Sequence, residues 1–308
     1  MVTIRGLKKS YKGFRVLDGL DMTIAKGDVY GFLGKNGCGK TTTMNIICNV
    51  IPKDEGEIRL GETEGEPIKI GYLPESPALF GYMNGIEYLE YIAGCARYMG
   101  DVKKRIAEVL EITGMSEGGK RRIKGYSRGM NQRMGIAATI FDNPDLIILD
   151  EPTSALDPQG RAEVIGIIQN LTATGATILL CTHILTDVER VANRIGILKN
   201  GRLAVEDSIS DIMKKHSAAS VEVYLDHFTD ETAALLGSLD FVTAAQSFPA
   251  SGMVALDVSD PEEGMYRTMG FLSEKRIAAA RVSLTRPTLE QIYLETISDG
   301  QPAERRKA

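Results

Sequence analysis

The chain has 308 residues, of which 43% are hydrophobic and 25% are charged, and its formal net charge is −5. This length favours one large domain and a smaller one, with enough apolar side chains to pack both, and the acidic balance argues against a general nucleic-acid-binding protein, which carries a basic face. The four cysteines form no CxxC pair, so neither a disulfide framework nor a zinc site is indicated, as is typical of a reduced, intracellular protein.

The beginning of the chain and its apolar runs bear on membrane insertion. The start, MVTIRGLKKSYKG, lacks the apolar segment of a signal peptide. The longest apolar runs, DLIILD and ATILLCT, have the length of strands, and none approaches the roughly 18–20 apolar residues that a membrane helix needs. We therefore expect that the chain does not itself cross a membrane.

The first two thirds of the chain predict a sheet interrupted by a helical insert. Residues 2 to 30 alternate short β-like runs with turns, and the loop GKNGCGKTT precedes a helical run that Pro52 ends. Residues 76–141 have apolar side chains three and four positions apart, which is typical of helices. The strand-like runs LIILD and ATILLCTH then flank the helix QGRAEVIGIIQNL. Strands that alternate with helices predict a mostly parallel sheet covered on both faces.

A second, smaller domain is predicted after SAAS at 217–220. The pattern restarts there as strand, helix, two strands, helix and strand, which is the order of the ferredoxin-like arrangement. A terminal helix, TLEQIYLETIS, follows Pro287. The predicted organisation is a large domain over 1–217, an accessory domain over 218–297 and a disordered tail over 298–308.

The loop GKNGCGKTT fits the phosphate-binding pattern G-x-x-x-x-G-K-[ST], and it lies between a strand and a helix as that pattern requires. Its glycines let backbone N–H groups approach phosphates closely. The Lys40 ammonium can reach the terminal phosphates as a point charge, and the Thr41 hydroxyl can ligate Mg²⁺. The predicted nucleotide-binding residues of this loop are Gly34, Asn36, Gly37, Cys38, Gly39, Lys40, Thr41 and Thr42.

Further polar side chains stand at or near the ends of predicted strands. Asp150 and Glu151 follow LIIL, at the carboxyl end where α/β sheets bind ligands. We expect Asp150 to hold Mg²⁺, directly or through water, and Glu151 to act as the base toward water, a role that contributes about 10²–10⁴-fold in rate. His183 ends ATILLCTH and is predicted to contact the γ-phosphate and the water, although a lone histidine is more often structural. Tyr11 offers a face on which adenine can stack.

These motifs, in this order and spacing, resemble the ATP-binding cassette of ABC transporters over residues 2 to about 215. The resemblance rests on the glycine-rich loop, GYSRGMNQR, LDEPTSALD and the TH of CTH. The family signature, usually LSGGQ, corresponds to YSRGM at 126–130, where Ser127 and Gly129 match and the other three residues depart. The fold implied is α/β: a P-loop NTPase cassette with a helical signature subdomain, followed by the small α+β, ferredoxin-like domain.

The resemblance also implies how the sites are shared. In the family, two cassettes pack head to tail, and each signature contacts the γ-phosphate held by the other chain. Ser127 and Gly129 are therefore expected to bind a partner's nucleotide, although Ser127 can at the same time cap an ordinary helix. The family usually has a metal-contacting glutamine where this chain has Glu75, so the metal set implied is Thr41, Glu75 and Asp150.

The function that the resemblance implies is ATP hydrolysis, with ATP and Mg²⁺ as cofactors, by the energy-supplying subunit of a transporter. The segment RPTLEQIYLETI is similar to the end of cassettes in the drug-, antibiotic- and sodium-exporting branch, whose permease is a separate chain. The implied partners are a second copy or a related cassette and an integral membrane permease, without nucleic acid. The implied location is cytoplasmic, on the inner face of the membrane through the permease.

Two alternatives are weighed against this interpretation. A soluble ABC ATPase acting on nucleic acid or ribosomes would carry two cassettes or a long coiled coil, whereas this chain has one motif set and about 110 residues without sustained heptads between loop and LDEP. A cassette that binds ATP but is catalytically dead would lack catalytic side chains. Lys40, Asp150, Glu151 and His183 are all present, which argues against it.

Overall fold

The structure is a computed structural model that describes residues 1–61, 68–215, 219–285 and 288–297. Its strands are β1 Val2–Tyr11, β2 Phe14–Ile24, β3 Val29–Gly34, β4 Glu55–Leu60, β5 Ile70–Leu73, β6 Leu146–Asp150, β7 Thr177–Cys181, β8 Arg194–Lys199, β9 Arg202–Ser208, β10 Ala219–Leu225, β11 Val242–Phe248, β12 Met253–Val258 and β13 Ala279–Thr285. Its α-helices are α1 Lys40–Ile47, α2 Gly85–Ala96, α3 Val102–Ile112, α4 Arg128–Thr139, α5 Pro158–Ala173, α6 Leu185–Val191, α7 Ile209–Lys215, α8 Asp230–Gly237, α9 Pro261–Glu274 and α10 Leu289–Ile297.

Backbone contacts divide the chain into two compact units. The first comprises Met1–Ile209 and the described residues from Thr296, and the second comprises Ser210–Glu295. The predicted boundary between 217 and 218 lies outside the described residues, as does the predicted tail over 298–308. Among the helices that the structure describes, none has the length and hydropathy needed to cross a membrane.

The first unit contains two sheets. A six-stranded sheet has the order β5-β6-β7-β3-β8-β9, in which the pairs from β5 to β8 are parallel and β9 is antiparallel to β8. A three-stranded antiparallel sheet has the order β2-β1-β4. Every residue of β3, β6 and β7 is buried, which is the burial that a parallel sheet covered on both faces requires. The predicted α/β architecture is therefore confirmed.

Helix α1 ends earlier than the sequence pattern indicates. The helical run was expected to reach Pro52, but the helix ends at Ile47, with Cys48 as its C-terminal cap. Asn49 has a φ of 55°, in the left-handed region. Asparagine tolerates that conformation better than most residues and commonly terminates helices there. The backbone conformation of Asn49 therefore ends the helix before Pro52 is reached.

The insert between β5 and β6 is helical. It contains α2, α3 and α4, which pack on one another. Helix α2 begins with a capping box, because the Asn84 side chain accepts from the Glu87 N–H at 2.9 Å and the Glu87 carboxylate accepts from the Asn84 N–H at 2.8 Å. Helix α3 is anchored through Arg105, whose buried guanidinium donates to the carbonyls of Ile140 and Phe141 beyond the end of α4. These contacts hold α3 and α4 together.

The second unit has the element order β10-α8-β11-β12-α9-β13, as the sequence pattern predicts. Its four strands form an antiparallel sheet in the order β11-β12-β10-β13. Alternate residues along β10 and β12 pack with α8 and α9 in one apolar core: Val221, Val223, Leu225, Val254, Leu256 and Val258. This period of two gives the unit its own apolar core.

Candidate active site

The glycine-rich loop connects the buried strand β3 to helix α1. Gly39 precedes the helix with a φ of 114° and offers no side-chain cap, so the first N–H groups of α1 are left to a ligand. A Cβ at Gly39 would lie 2.8 Å from Leu17 Cδ2, so the site has room for glycine alone. Gly37 also has a positive φ, of 78°. The loop thus needs glycine both for its turn and for its close packing.

Lys40 lies at the start of α1 with 7% of its surface exposed. Its Nζ donates to the carbonyl oxygen of Gly34 at 2.7 Å and to that of Lys35 at 3.3 Å. Within the described residues it forms no ion pair with a carboxylate. The ammonium is therefore held inside the loop by neutral oxygens rather than by a direct ion pair.

Asp150 ends strand β6 and faces the start of α1. The Thr41 hydroxyl donates to Asp150 Oδ2 at 3.4 Å. Burial, with the nearby charge of Glu151 as the next cause, raises the pKa of Asp150 to about 6. An uncompensated carboxylate is costly in such a place, so Asp150 carries charge that a cation in the cavity would stabilise.

Glu151 follows Asp150 with a φ of 48°, an uncommon conformation for a non-glycine residue. Both of its carboxylate oxygens have partners. Thr182 Oγ1 donates to Oε2 at 3.1 Å, and His183 Nδ1 lies 2.9 Å from Oε1. Strands β6 and β7 are adjacent, so their carboxyl ends bring the glutamate and the histidine together. Glu151 is consequently held in one orientation.

A cavity of about 460 Å³ collects most of the predicted site residues. It is lined by Tyr11, Val16, Asn36, Gly37, Gly39, Lys40, Thr41, Thr42, Glu75, Asp150, Glu151 and His183. Val16, on β2, is the residue that the sequence analysis missed. Nothing in its sequence context marks an apolar residue of a strand as a wall of a polar cavity.

Four predicted residues do not line this cavity. Gly34 is buried at the end of β3, and the Cys38 thiol lies behind the loop, since a Cβ at Gly34 would lie 2.6 Å from the Cys38 sulfur. Burial raises the pKa of that thiol. Ser127 and Gly129 lie elsewhere in the first unit, at the start of α4. Their roles stay predictions.

Ser127 is the N-terminal cap of α4, and its Oγ accepts from the Met130 N–H at 3.2 Å. Ser127 itself is exposed. Tyr126, which replaces the usual first signature residue, donates its hydroxyl to the carbonyl of Gly118 at 2.8 Å. The unusual tyrosine therefore fixes the loop before the helix, and the serine presents its hydroxyl to the surface.

The segment after Glu151 is supported by a buried polar group that the sequence analysis did not identify. Asp187 is 1% exposed and accepts from Thr153 Oγ1 at 2.6 Å and from Arg161 Nε at 2.8 Å. These bonds tie the turn after β6 to α5 and to α6, the helix that follows His183. The three residues are far apart in sequence, so no local pattern connects them.

Comparisons with known proteins agree with this geometry. Residues 17–154 match the sequence model of the ABC transporter family. The chain is 31% identical over 306 residues to the daunorubicin resistance ATP-binding protein DrrA3 of Streptomyces coeruleorubidus, covering 97% of this chain and 96% of that protein. It is also 31% identical over 291 residues to the bacitracin transport ATP-binding protein BcrA of Enterococcus faecalis, covering 86% and 94% of the two chains.

Solved structures show the same fold. The chain is similar to a dimeric, post-hydrolysis state of the ATP-binding cassette MJ0796 bound to ADP and Pi. The TM-score is 0.61 at 25% identity, covering 68% of this chain and 99% of that one. The ATP-binding subunit of another ABC transporter gives a TM-score of 0.62 at 26% identity, covering 70% of this chain and 92% of that one.

Proposed function

Because the chain belongs to the ABC transporter family of ATP-binding proteins and is an ATPase, we propose that it powers export of an antibiotic-like compound through a separate membrane permease. Two relatives that align with most of this chain are named for daunorubicin resistance and bacitracin transport. The permease would supply the membrane span and hold the chain at the cytoplasmic face.

The observation that supports hydrolysis by these residues is the position of Glu151. Its carboxylate is held by Thr182 and His183 in a cavity that also contains the Lys40 ammonium. In the proposed reaction, Lys40 and the open N–H groups of α1 bind the terminal phosphates of ATP. Glu151 orients a water molecule for in-line attack on the γ-phosphorus and accepts its proton, and His183 holds Glu151 and contacts the γ-phosphate.

The residues present fit a Mg²⁺ ion that arrives with the nucleotide. No group of three or more His, Cys, Asp or Glu side chains within the described ranges is placed to hold a metal ion by itself. Mg²⁺, however, is commonly bound through one or two carboxylates together with phosphate oxygens. Thr41 and Asp150 would hold it, with Glu75 nearby. When bound, Mg²⁺ neutralises charge that develops on the phosphates.

The adenine of ATP has a proposed position beside Tyr11, in the lining of the same cavity. Tyr11 is 44% exposed and Val16 lies beside it in the lining of the same cavity. The Lys9 ammonium lies 5.5 Å from the centre of the Tyr11 ring. An aromatic face with an adjacent apolar side chain suits a purine, so we assign adenine to this end of the cavity.

We also propose that two copies close head to tail around two ATP molecules. Ser127 and Gly129 do not line the chain's own nucleotide cavity, and Ser127 is exposed. Both facts suit a contact with a partner's γ-phosphate. The partner would be an identical chain or a related cassette.

The small domain over 218–297 is proposed to fold separately and to regulate or stabilise the dimer without entering the chemistry. Its apolar core is formed by its own strands and helices. A chain shortened to end at residue 217 should therefore remain soluble and bind ATP. Loss of ATP binding in the shortened chain would contradict this independence.

The transport proposal is tested in a drug-sensitive bacterium that produces this chain with a membrane permease encoded beside it. Accumulation of a fluorescent anthracycline is the measurement. We expect lower accumulation only when both chains are present, and we expect Glu151→Gln to restore the accumulation seen in cells that lack the two chains. Unchanged accumulation of the anthracycline and of bacitracin-type peptides, with active ATPase, would exclude this class of compound.

A further inference from the structure

A second cavity, of about 380 Å³, adjoins the nucleotide cavity. It lies between the loop after β5, the start of α4 and the segment 154–156, and we call it the signature cavity. Glu75 lines both cavities. This one side chain therefore borders both the site that would hold the metal and the cavity at the start of α4, the helix that Ser127 caps.

Helix α4 runs along β5 and the loop that carries Glu75. Gly71 in β5 lies against the carbonyl of Thr139, and a Cβ at Gly135 would lie 2.7 Å from Leu73 Cδ1 and 2.9 Å from Pro77 Cγ. Positions three and four apart share one face of a helix. Gln132 is the next position on that face, and it lines the signature cavity with Glu75.

The amide of Gln132 has an unused donor. Gln132 is 6% exposed, and its Nε2 is one of three side-chain nitrogen or oxygen atoms in the described residues that are buried without a hydrogen-bond partner. Leaving a buried N–H unpaired costs free energy, and native proteins do so rarely. Because Gln132 lines the signature cavity, an acceptor that enters this cavity is the candidate partner.

Glu75 can supply that acceptor. It is exposed and makes no hydrogen bond or ion pair within the described part of the chain. An ionised carboxylate only accepts hydrogen bonds, and an amide N–H₂ only donates them. The side chains of Glu75 and Gln132 are thus complementary, each lacks a partner, and both border one cavity.

The charges that line the nucleotide cavity exert a force on the Glu75 carboxylate. The nucleotide cavity is lined by three carboxylates, those of Glu75, Asp150 and Glu151, against one lysine ammonium. Without a divalent cation, the other two carboxylates repel Glu75. A divalent cation bound with nucleotide reverses the sign of that force. The same side chain is then attracted to the nucleotide cavity.

We propose that Gln132 is a positioning residue for Glu75. When the nucleotide cavity holds no divalent cation, Glu75 turns into the signature cavity and accepts a hydrogen bond from Gln132 Nε2. Binding of Mg²⁺ with ATP draws Glu75 back. The inference rests on the proposed function only in taking Glu75 as a residue on the metal side.

The experiment compares ATP affinity with Mg²⁺ and with EDTA, by direct binding of a fluorescent ATP analogue to the full chain. Gln132→Met keeps the length of the side chain and removes the donor. Because the hydrogen bond competes with metal binding, its loss should tighten binding in Mg²⁺ by about 3- to 10-fold. Affinity in EDTA should not change. Asn131→Met, at a neighbouring position that lines the same cavity, is the control and should shift neither value.

A double-mutant cycle tests the pairing itself. In a Glu75→Ala background, Gln132→Met should no longer alter the ratio of the two affinities. In the nucleotide-free protein, amide hydrogen exchange of Glu75 and Ser76 should be several-fold faster in Gln132→Met, because the loop loses its proposed hydrogen bond to helix α4. If Gln132→Met does not fold, Gln132→Leu also removes the donor without adding a charge and should show the same shift in Mg²⁺.

Two results would overturn the inference: an equal change of affinity with Mg²⁺ and with EDTA, or an unchanged effect of Gln132→Met in the Glu75→Ala background. Failure of the nucleotide and metal site described under the proposed function looks different. In that case the wild-type chain would not bind the ATP analogue, or Mg²⁺ would not strengthen its binding. Neither outcome depends on Gln132.

Discussion

Helices α1 and α4 of the first unit begin in different ways. Helix α1 follows Gly39 and has no side-chain cap, whereas α4 follows Ser127, whose hydroxyl accepts from the Met130 N–H. Neither helix has an acidic residue in its first turn. The uncapped helix faces a cavity with a buried ammonium, and the capped one faces the surface. An open helix start beside a fixed charge forms an anion site of its own, whereas a capped start offers a weaker contact that another charge must complete.

The largest effect is expected at the base beside the α1 site. Glu151→Gln keeps the size of the side chain and removes its capacity to accept a proton. ATP hydrolysis should fall by about 10²–10⁴-fold, while ATP binding is retained and an ATP-bound dimer accumulates. Steady-state hydrolysis and size-exclusion chromatography with ATP measure the two effects. Hydrolysis near the wild-type rate would mean that another group is the base.

Single substitutions at the two helix starts compare them directly. Lys40→Ala removes the ammonium from the loop and should weaken ATP binding to the monomer by about 100-fold, because a charged hydrogen-bond donor to phosphate is lost. Ser127→Ala should change that affinity by less than about twofold. Isothermal titration at concentrations below dimer formation measures both. A comparable loss of affinity in Ser127→Ala would place the signature serine at its own chain's nucleotide.

Mixed dimers sharpen the comparison by assigning each helix start to a chain. Ser127→Arg should crowd a partner's γ-phosphate and leave monomer affinity nearly intact. A heterodimer of Ser127→Arg with Lys40→Ala then keeps one intact site and one site with both halves broken. Its ATPase activity should exceed that of either mutant homodimer and reach up to about half of the wild-type value if the sites act independently.

The mixed-dimer experiment would give a different ATPase activity if the two helix starts of one chain served the same nucleotide. If the signature served the nucleotide of its own chain, both sites of the heterodimer would be damaged. Absence of recovery, in samples where heterodimers are shown by two affinity tags, would exclude the shared site. Heterodimers of Ser127→Arg with wild type provide the matched control for assembly.

The smallest effect concerns the stability of the nucleotide-free protein in EDTA. The folded-state pKa of Asp150 is about 6, above its usual value of 3.8, so the folded protein binds this proton more tightly than the unfolded chain. The contribution of Asp150 to stability is therefore lost as pH rises through about 6 and is restored as pH falls toward 4. Asp150→Asn should stabilise the protein at pH 8 by about 1–2 kcal/mol, after allowance for screening by water, and by little near pH 4.

Helix α4 supplies the contrast for that measurement. Ser127→Ala removes the cap and should destabilise the protein by about 0.5–2 kcal/mol at both pH values, since no titrating group is involved. Urea unfolding of the wild type and of both variants at pH 4.5 and pH 8 gives the change in the free energy of unfolding for each variant at each pH. A stabilising effect of Asp150→Asn that did not depend on pH would contradict the assigned cause, which is the cost of a buried carboxylate.

Much of the candidate site follows from local sequence. The glycines of GKNGCGKTT are needed where the backbone has positive φ or packs closely, as at Gly37 and Gly39. The run LIILD forms a buried strand, and the end of such a strand in an α/β sheet is where ligands bind. The spacing of apolar residues likewise predicts the order of strands and helices along the chain. These features involve neighbours in the chain, so the sequence by itself determined them.

Only the tertiary structure decided which distant side chains meet. Placing β6 beside β7 brings His183 to Glu151, and the packing of α4 on β5 places Gln132 next to the loop of Glu75. Val16 becomes a cavity wall because its strand passes the glycine-rich loop. Such contacts depend on strand order and on which face of a helix is covered. Strand order and the covered face of a helix are set by the packing of the whole unit, so a local pattern of residues does not predict them.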